Sequence, residues 1–196
     1  MIHVLDQKTI DKIAAGEVVE RPASVVKELL ENSIDAGAGA ITLEITEGGC
    51  AMIRVTDNGA GIAPQEVRKA FLRHATSKIS SEKDLEAIES LGFRGEALSS
   101  IGAVSRCEII TRTTGNLTGT RLVLSGGEEE CFEEVGAPEG TTMIVRDLFY
   151  NTPARKKFLR SPLTEGAHIG ELVQKLALCN ETIAFCFISN RQTRFQ

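Results

Sequence analysis

The chain has 196 residues, 42% hydrophobic and 25% charged, the balance of one globular domain with a substantial core rather than of a disordered or membrane-embedded protein. A net charge of −5 and a pI near 5.4 argue against a domain whose main task is to coat nucleic acid, though they leave room for a local basic patch. The five cysteines, Cys50, Cys107, Cys131, Cys179 and Cys186, are an odd number without C-x-x-C spacing, which speaks against a disulfide framework or a zinc site and fits reduced thiols.

The chain opens MIHVLDQKTI, with no basic region ahead of an apolar run, and no stretch approaches membrane-spanning length. A soluble, unexported, cytoplasmic protein is expected. Asp6 can cap a short helix over 7–14, closed at Ala15-Gly16. A longer helix follows, with Pro22 suited to its first position, where the missing N–H would be unpaired anyway, and Ala36-Gly37 suited to its end. At about 100° per residue, Val25, Val26, Leu29, Leu30 and Ile34 form one stripe of this helix, while Glu28, Asn32 and Asp35 form another. The apolar stripe packs; the polar one is either a solvated side or a row of chemical groups. The interior Asn weighs toward chemistry, because Asn ordinarily prefers caps and turns.

Ile41, Leu43 and Ile45 alternate with polar residues, Gly48-Gly49 supplies a turn, and Ala51, Ile53 and Val55 alternate again, which predicts a β-hairpin with one buried face. Its second strand runs into Asp57-Asn58-Gly59-Ala60-Gly61-Ile62, taken alone an ordinary turn sequence. Pro64 opens another short helix with Val67, Ala70 and Phe71 on one side. The stretch from 74 onward is rich in Ser, Thr, Lys and Gly; ATSK at 75–78 and GFRG at 92–95 bracket a modest amphipathic segment (Leu85, Ile88, Leu91), and GFRG feeds a helix starting near Glu96. Such a turn is either a surface loop or an anion site made of unpaired N–H groups at a helix start.

Alternating runs at 107–111, 122–124, 131–135 and 142–145, separated by TGNLTG, SGG and GAPEG, read as an antiparallel meander. LFYNTPARKKFLRSP then brings an aromatic pair, a proline turn and a basic cluster, Arg155, Lys156, Lys157 and Arg160, which is a solvated face or a contact for DNA. A last helix is expected over 163–179 with Leu172, Val173, Leu176 and Ala177 inward, and a strand over 183–188. There is no internal repeat, linker or low-complexity tract.

An acidic and amide helix face, a strand ending in aspartate with glycines, and a Ser/Thr/Lys/Gly loop before a helix together describe a nucleotide site. It is not of the common phosphate-binding kinds: GxxxxGK[ST] is missing, and Gly59-x-Gly61 lacks a third glycine and a βα setting. The blocks IAAGEVVERPASVVKELLENSIDAGA, DNGAGI, ATSK, GFRGEALSSI and DLFYNTPARKKFL, spread over nearly the whole chain, resemble the GHKL ATPases, the group containing DNA gyrase B, heat-shock chaperone ATPases, sensor histidine kinases and the MutL family. The first and last blocks resemble the MutL family of DNA mismatch repair proteins in particular.

That resemblance implies a two-layer α/β (α+β) sandwich, a mixed and largely antiparallel sheet with helices on one face, as a single domain over 1–196. It implies ATP and Mg²⁺ as ligands. Glu28 resembles the general base that activates water, Asn32, one helical turn on, resembles the Mg²⁺ ligand, and Asp57 resembles the adenine reader. Gly59 and Gly61 would let backbone approach the base, and Thr141 or Thr142 resembles a threonine that assists Asp57. Thr76, Ser77, Lys78, Phe93, Arg94, Gly95, Glu96 and Ala97 match a phosphate-enclosing lid. Asp35 reads as a local hydrogen-bonding group, and His3, His74 and His168 as structural or surface residues.

By the same resemblance, ATP orders the lid and promotes a homodimer of such modules, so that slow hydrolysis relays mismatch recognition by a MutS-type partner to a downstream repair nuclease or helicase. DNA is contacted by the intact protein, weakly or not at all by this module, in the bacterial cytoplasm and at the nucleoid during repair. In relatives a second α/β domain supplies a lysine to the γ-phosphate and a C-terminal dimerisation region follows; the chain reads as ending before both, so ATP–Mg²⁺ binding is expected to exceed hydrolysis. One rival is a sensor histidine kinase-like core, against which Glu28 argues, since a kinase has no need of a water-activating base. The other is an interaction module that binds ATP without turnover.

Overall fold

The computed structural model describes residues 6–73, 75 and 96–196. Among these are strands β1 (Ala40–Thr46), β2 (Met52–Asp57), β3 (Arg106–Arg112), β4 (Gly119–Ser125), β5 (Glu128–Val135), β6 (Gly140–Arg146), β7 (Ala184–Ser189) and β8 (Gln192–Phe195). They form one sheet in the order β5-β4-β3-β6-β2-β1-β7-β8. Only β1 and β7 pair in parallel; every other neighbouring pair is antiparallel. The mixed, largely antiparallel sheet is therefore as expected. The simple meander is not: β3, β4 and β5 follow one another, but β6 returns to lie between β3 and β2. Alternation in a sequence fixes which face a side chain takes, not which strand lies beside it.

Among the described residues six α-helices accompany the sheet, α1 (Gln7–Val18), α2 (Pro22–Asp35), α3 (Pro64–Val67), α4 (Ala97–Ala103), α5 (Pro153–Phe158) and α6 (Pro162–Cys179). Val25, Val26, Leu29 and Leu30 of α2, Ile101 of α4 and Ile169 and Val173 of α6 are buried in one cluster with Leu43, Ile45, Ile53, Val55, Ile109, Met143 and Val145 of the strands. Each such side chain contributes roughly 1.5–3 kcal/mol by leaving water, so this layer contact holds the sandwich together. The opposite face of the sheet carries ion pairs, Arg54–Glu44 on one pair of strands and Arg146–Glu108–Arg121–Glu133 across four. Burial would raise the Glu108 pKa, but hydrogen bonds from Arg121 and Arg146 outweigh it and hold the carboxyl below its ordinary range.

The start of α2 is fixed from outside the helix. Arg21, its N-cap residue, places Nε 3.1 Å and Nη2 3.0 Å from Oε2 of Glu165, whose side chain is 1% exposed in the first turn of α6. The Arg160 N–H donates to the same carboxylate at 3.1 Å. A planar fork meeting a carboxylate in this way fixes orientation as well as charge, so it sets the point from which α2 runs toward the site.

Several local expectations are corrected. Helix α1 does not stop at Ala15-Gly16 but continues to Val18, and a side chain at Gly16 would run into the Arg155 guanidinium. The glycine makes room for a neighbour rather than ending the helix. The proline turn at 153 is the first residue of α5, and β8 extends the sheet beyond the expected last strand. Within the basic cluster Arg155 is half-buried and donates from Nη2 to the Ile13 carbonyl at 3.3 Å, while Lys156, Lys157 and Arg160 are exposed. All five cysteines are free thiols; Cys107 is buried, which pushes its pKa up to about 12.

Candidate nucleotide-binding site

The covered face of the sheet is crossed by rows of side chains that the register brings together. Two rows are apolar: Phe187, Leu43, Val55, Met143, Ile109 and Leu122, then Ile45, Ile53, Val145, Cys107 and Leu124. The third begins as apolar, with Phe185 and Ile41, and continues as Asp57, Thr141, Thr111 and Thr120. Asp57 is 9% exposed and Thr111 is 1% exposed. Unpaired polar groups at such depth are costly, so their hydrogen bonds define what the row can do.

Three donors converge on Asp57. The Ser33 hydroxyl of α2 donates to Oδ2 at 2.7 Å, and the N–H groups of Gly59 and Thr141 donate to Oδ1 at 2.9 and 3.3 Å. The carboxylate is thereby tied to the helix, to its own loop and to β6. An ionised carboxylate accepts only, and its remaining lone pairs invite a donor. Two close approaches shape the surrounding loops: at Gly61 (φ +69) a side chain would collide with the Arg112 carbonyl, and at Gly140 (φ +105) with that of Asp57. Only glycine combines this backbone with such proximity.

Of the two candidate threonines, Thr141 lies opposite Asp57 on the covered face, whereas Thr142 lies opposite Thr56 on the other face, their hydroxyls 3.2 Å apart. Asn32 precedes the serine that holds Asp57, and Glu28 stands four residues earlier than Asn32, about 6 Å along the axis. Both are half-buried; the Glu28 side chain is 24% exposed, with Oε1 4.0 Å from the Lys27 ammonium. Lys27 bonds more closely to buried Glu31, at 2.8 Å, so Glu28 is not its main partner. Asp35 is exposed near the helix end. Glu96 caps α4 and Ala97 begins it, with the Ser99 hydroxyl donating to the Glu96 carbonyl at 2.9 Å. Thr76, Ser77, Lys78, Phe93, Arg94 and Gly95, together with His3 and His74, lie outside the described residues. His168 is half-buried on α6, on a different element from those that form the row.

Two residues of the site were not anticipated, Ser33 and Thr111. The sequence held a signal for each. Ser33 falls three and four positions after Leu30 and Leu29, on the packing stripe, and Thr111 continues the buried alternation of Cys107 and Ile109. A polar residue at an apolar register position is a buried group in need of partners.

A family model described as histidine kinase-, DNA gyrase B- and HSP90-like ATPase matches residues 20–139, and the chain belongs to that family. Within it the similarity is to MutL. The DNA mismatch repair protein MutL of Agathobacter rectalis is 63% identical over 193 residues, covering 98% of this chain and 30% of that protein. MutL of Caldanaerobacter subterraneus subsp. tengcongensis is 53% identical over 194 residues, covering 99% of this chain and 33% of that protein. The chain thus spans about a third of the length of these curated relatives. Among solved structures, the Aquifex aeolicus MutL ATPase domain complexed with ADP superposes with a TM-score of 0.75 at 35% identity, over 91% of this chain and 63% of that one. The N-terminal domain of a DNA repair protein superposes with a TM-score of 0.79 at 32% identity, over 96% of this chain and 56% of that one. The two-layer sandwich matches the fold of the Aquifex aeolicus MutL ATPase domain. No helix among the described residues is long and apolar enough to cross a membrane.

Proposed function

We propose that this chain binds ATP with Mg²⁺ between α2 and the 96–97 end of the lid sequence, and hydrolyses it slowly as the switch of a MutL-type mismatch repair protein. The observation that carries the reading is the convergence of Ser33, Gly59 and Thr141 on the Asp57 carboxylate, whose remaining lone pairs would suit a further donor. A carboxylate fits the exocyclic amine of adenine and opposes the carbonyl of guanine. ADP in the Aquifex aeolicus neighbour supports a nucleotide in this fold.

Glu28 takes the role of base, drawing a proton from the attacking water, and Thr141 assists Asp57 from the neighbouring strand. Asn32 is suited to Mg²⁺: an amide oxygen is a hard, neutral donor, and Mg²⁺ keeps waters and phosphate oxygens for most of its shell. When bound, Mg²⁺ neutralises phosphate charge. The lid residues Thr76, Ser77, Lys78, Phe93, Arg94, Gly95, Glu96 and Ala97 would enclose the phosphates with backbone N–H groups.

In the longer protein, a homodimer formed on ATP binding would carry the signal from a MutS-type partner to a nuclease or helicase on DNA, in the bacterial cytoplasm and at the nucleoid. The similarity to MutL supports this. Calorimetric titration with ADP and GDP in the presence of Mg²⁺ tests the site itself. ADP should bind and GDP should bind at least about tenfold more weakly, because the guanine carbonyl would face an acceptor; equal binding would remove the Asp57 assignment.

A further inference from the structure

Thr111 lies behind Thr141, one strand further from Asp57, and its hydroxyl oxygen makes three contacts. The Ile62 N–H donates to it at 2.9 Å, the Gly140 carbonyl lies 3.0 Å from it, and the Thr141 hydroxyl lies 3.0 Å from it. A hydroxyl has one proton and two acceptor lone pairs. A carbonyl can only accept, so the Thr111 proton goes to Gly140. The amide of Ile62 can only donate, so it fills one lone pair. One lone pair is left, and the Thr141 hydroxyl must donate into it if all three contacts are hydrogen bonds. The opposite polarity would take the Thr111 proton from the Gly140 carbonyl and leave a lone pair of a residue that is 1% exposed unfilled.

We propose that Thr111 is a positioning residue for base selection: by fixing the Thr141 proton inward, it leaves Thr141 able only to accept from a ligand on the Asp57 side. This rests on the reading of the site as an adenine pocket. Asp57 and Thr141 then present acceptors side by side to the exocyclic group of the base, one for each N–H of an amine, a rim that receives the amine and opposes a carbonyl at the same place. Without Thr111 the Thr141 hydroxyl would rotate, donate to a carbonyl and weaken the choice. Ile62 gives the same hydroxyl a second effect, since its N–H ties the Asp57–Ile62 loop to β3.

The test compares ADP with IDP, in which the amine at the base edge is replaced by a carbonyl and the adjacent ring nitrogen is protonated. Wild type should favour ADP. Thr111→Val, which keeps the shape and removes the hydroxyl, should narrow the ADP-to-IDP affinity ratio by about tenfold, mainly through tighter IDP binding, while Thr111→Ser should restore the wild-type ratio. A Thr111→Val chain that binds both more weakly with an unchanged ratio overturns the relay and leaves the adenine pocket standing. A wild type that binds ADP and IDP equally removes the pocket reading itself. Should Thr111→Val not fold, neutron diffraction from deuterated wild-type crystals decides: the Thr141 deuteron pointing at Thr111 Oγ supports the relay, and a deuteron pointing toward the Asp57 side overturns it.

Discussion

Glu28→Gln should leave ADP affinity nearly unchanged and lower ATP turnover by about 10²–10⁴-fold, the range typical of a positioned general base. Glu and Gln have the same shape, and the half-buried position already tolerates a polar group, so α2 should persist. Its fixed points lie elsewhere, in the Arg21–Glu165 fork at the start and the Ser33–Asp57 bond near the end. The variant therefore separates chemistry from binding. Slow hydrolysis is best followed under single-turnover conditions with the unmutated chain in parallel. Turnover preserved in Glu28→Gln would remove the base assignment, while turnover lost together with affinity would mean that Glu28 supports the pocket instead.

Asp57→Asn should have the complementary effect, a loss of ADP affinity of about 10–100-fold, the range for removing a hydrogen bond to a charged acceptor. The amide offers one acceptor where the carboxylate offered two. With Oδ1 kept toward the Gly59 and Thr141 N–H groups, the NH₂ turns to Ser33, whose hydroxyl can rotate to accept from it. The fold should survive this exchange, with the thermal midpoint as the control. What is lost is the negative acceptor facing the base. Affinity within a factor of about two of wild type would show that adenine is read elsewhere.

How much of this was legible in the sequence depends on the distance over which each feature is encoded. Helix α2, with its Pro22 start, apolar stripe and Glu28–Asn32 spacing, is local in sequence, and the helix forms over Pro22–Asp35. The hairpin of β1 and β2 is equally local, down to the turn at Gly48-Gly49. The placement of β6 between β2 and β3 was not legible, because alternation carries no address for a partner such as Thr141, 84 residues from Asp57, and the same ambiguity left Thr141 and Thr142 undivided. One register line separates their positions: Thr141 opposes Asp57 and Thr142 opposes Thr56. Ser33 and Thr111 belong to an intermediate kind. Their burial could be read from periodicity, but that Ser33 would meet a carboxylate 24 positions away could not. The resemblance contributed roles that neither periodicity nor register supplies, namely base for Glu28 and metal for Asn32.

The most direct test of the central claim is a crystal structure after saturation with ADP and Mg²⁺. The adenine amine should lie within hydrogen-bond distance of Asp57, beside Thr141, and Asn32 should be a ligand of the metal. A nucleotide whose base sits away from Asp57, or a cleft that stays empty at saturating ADP, would contradict it.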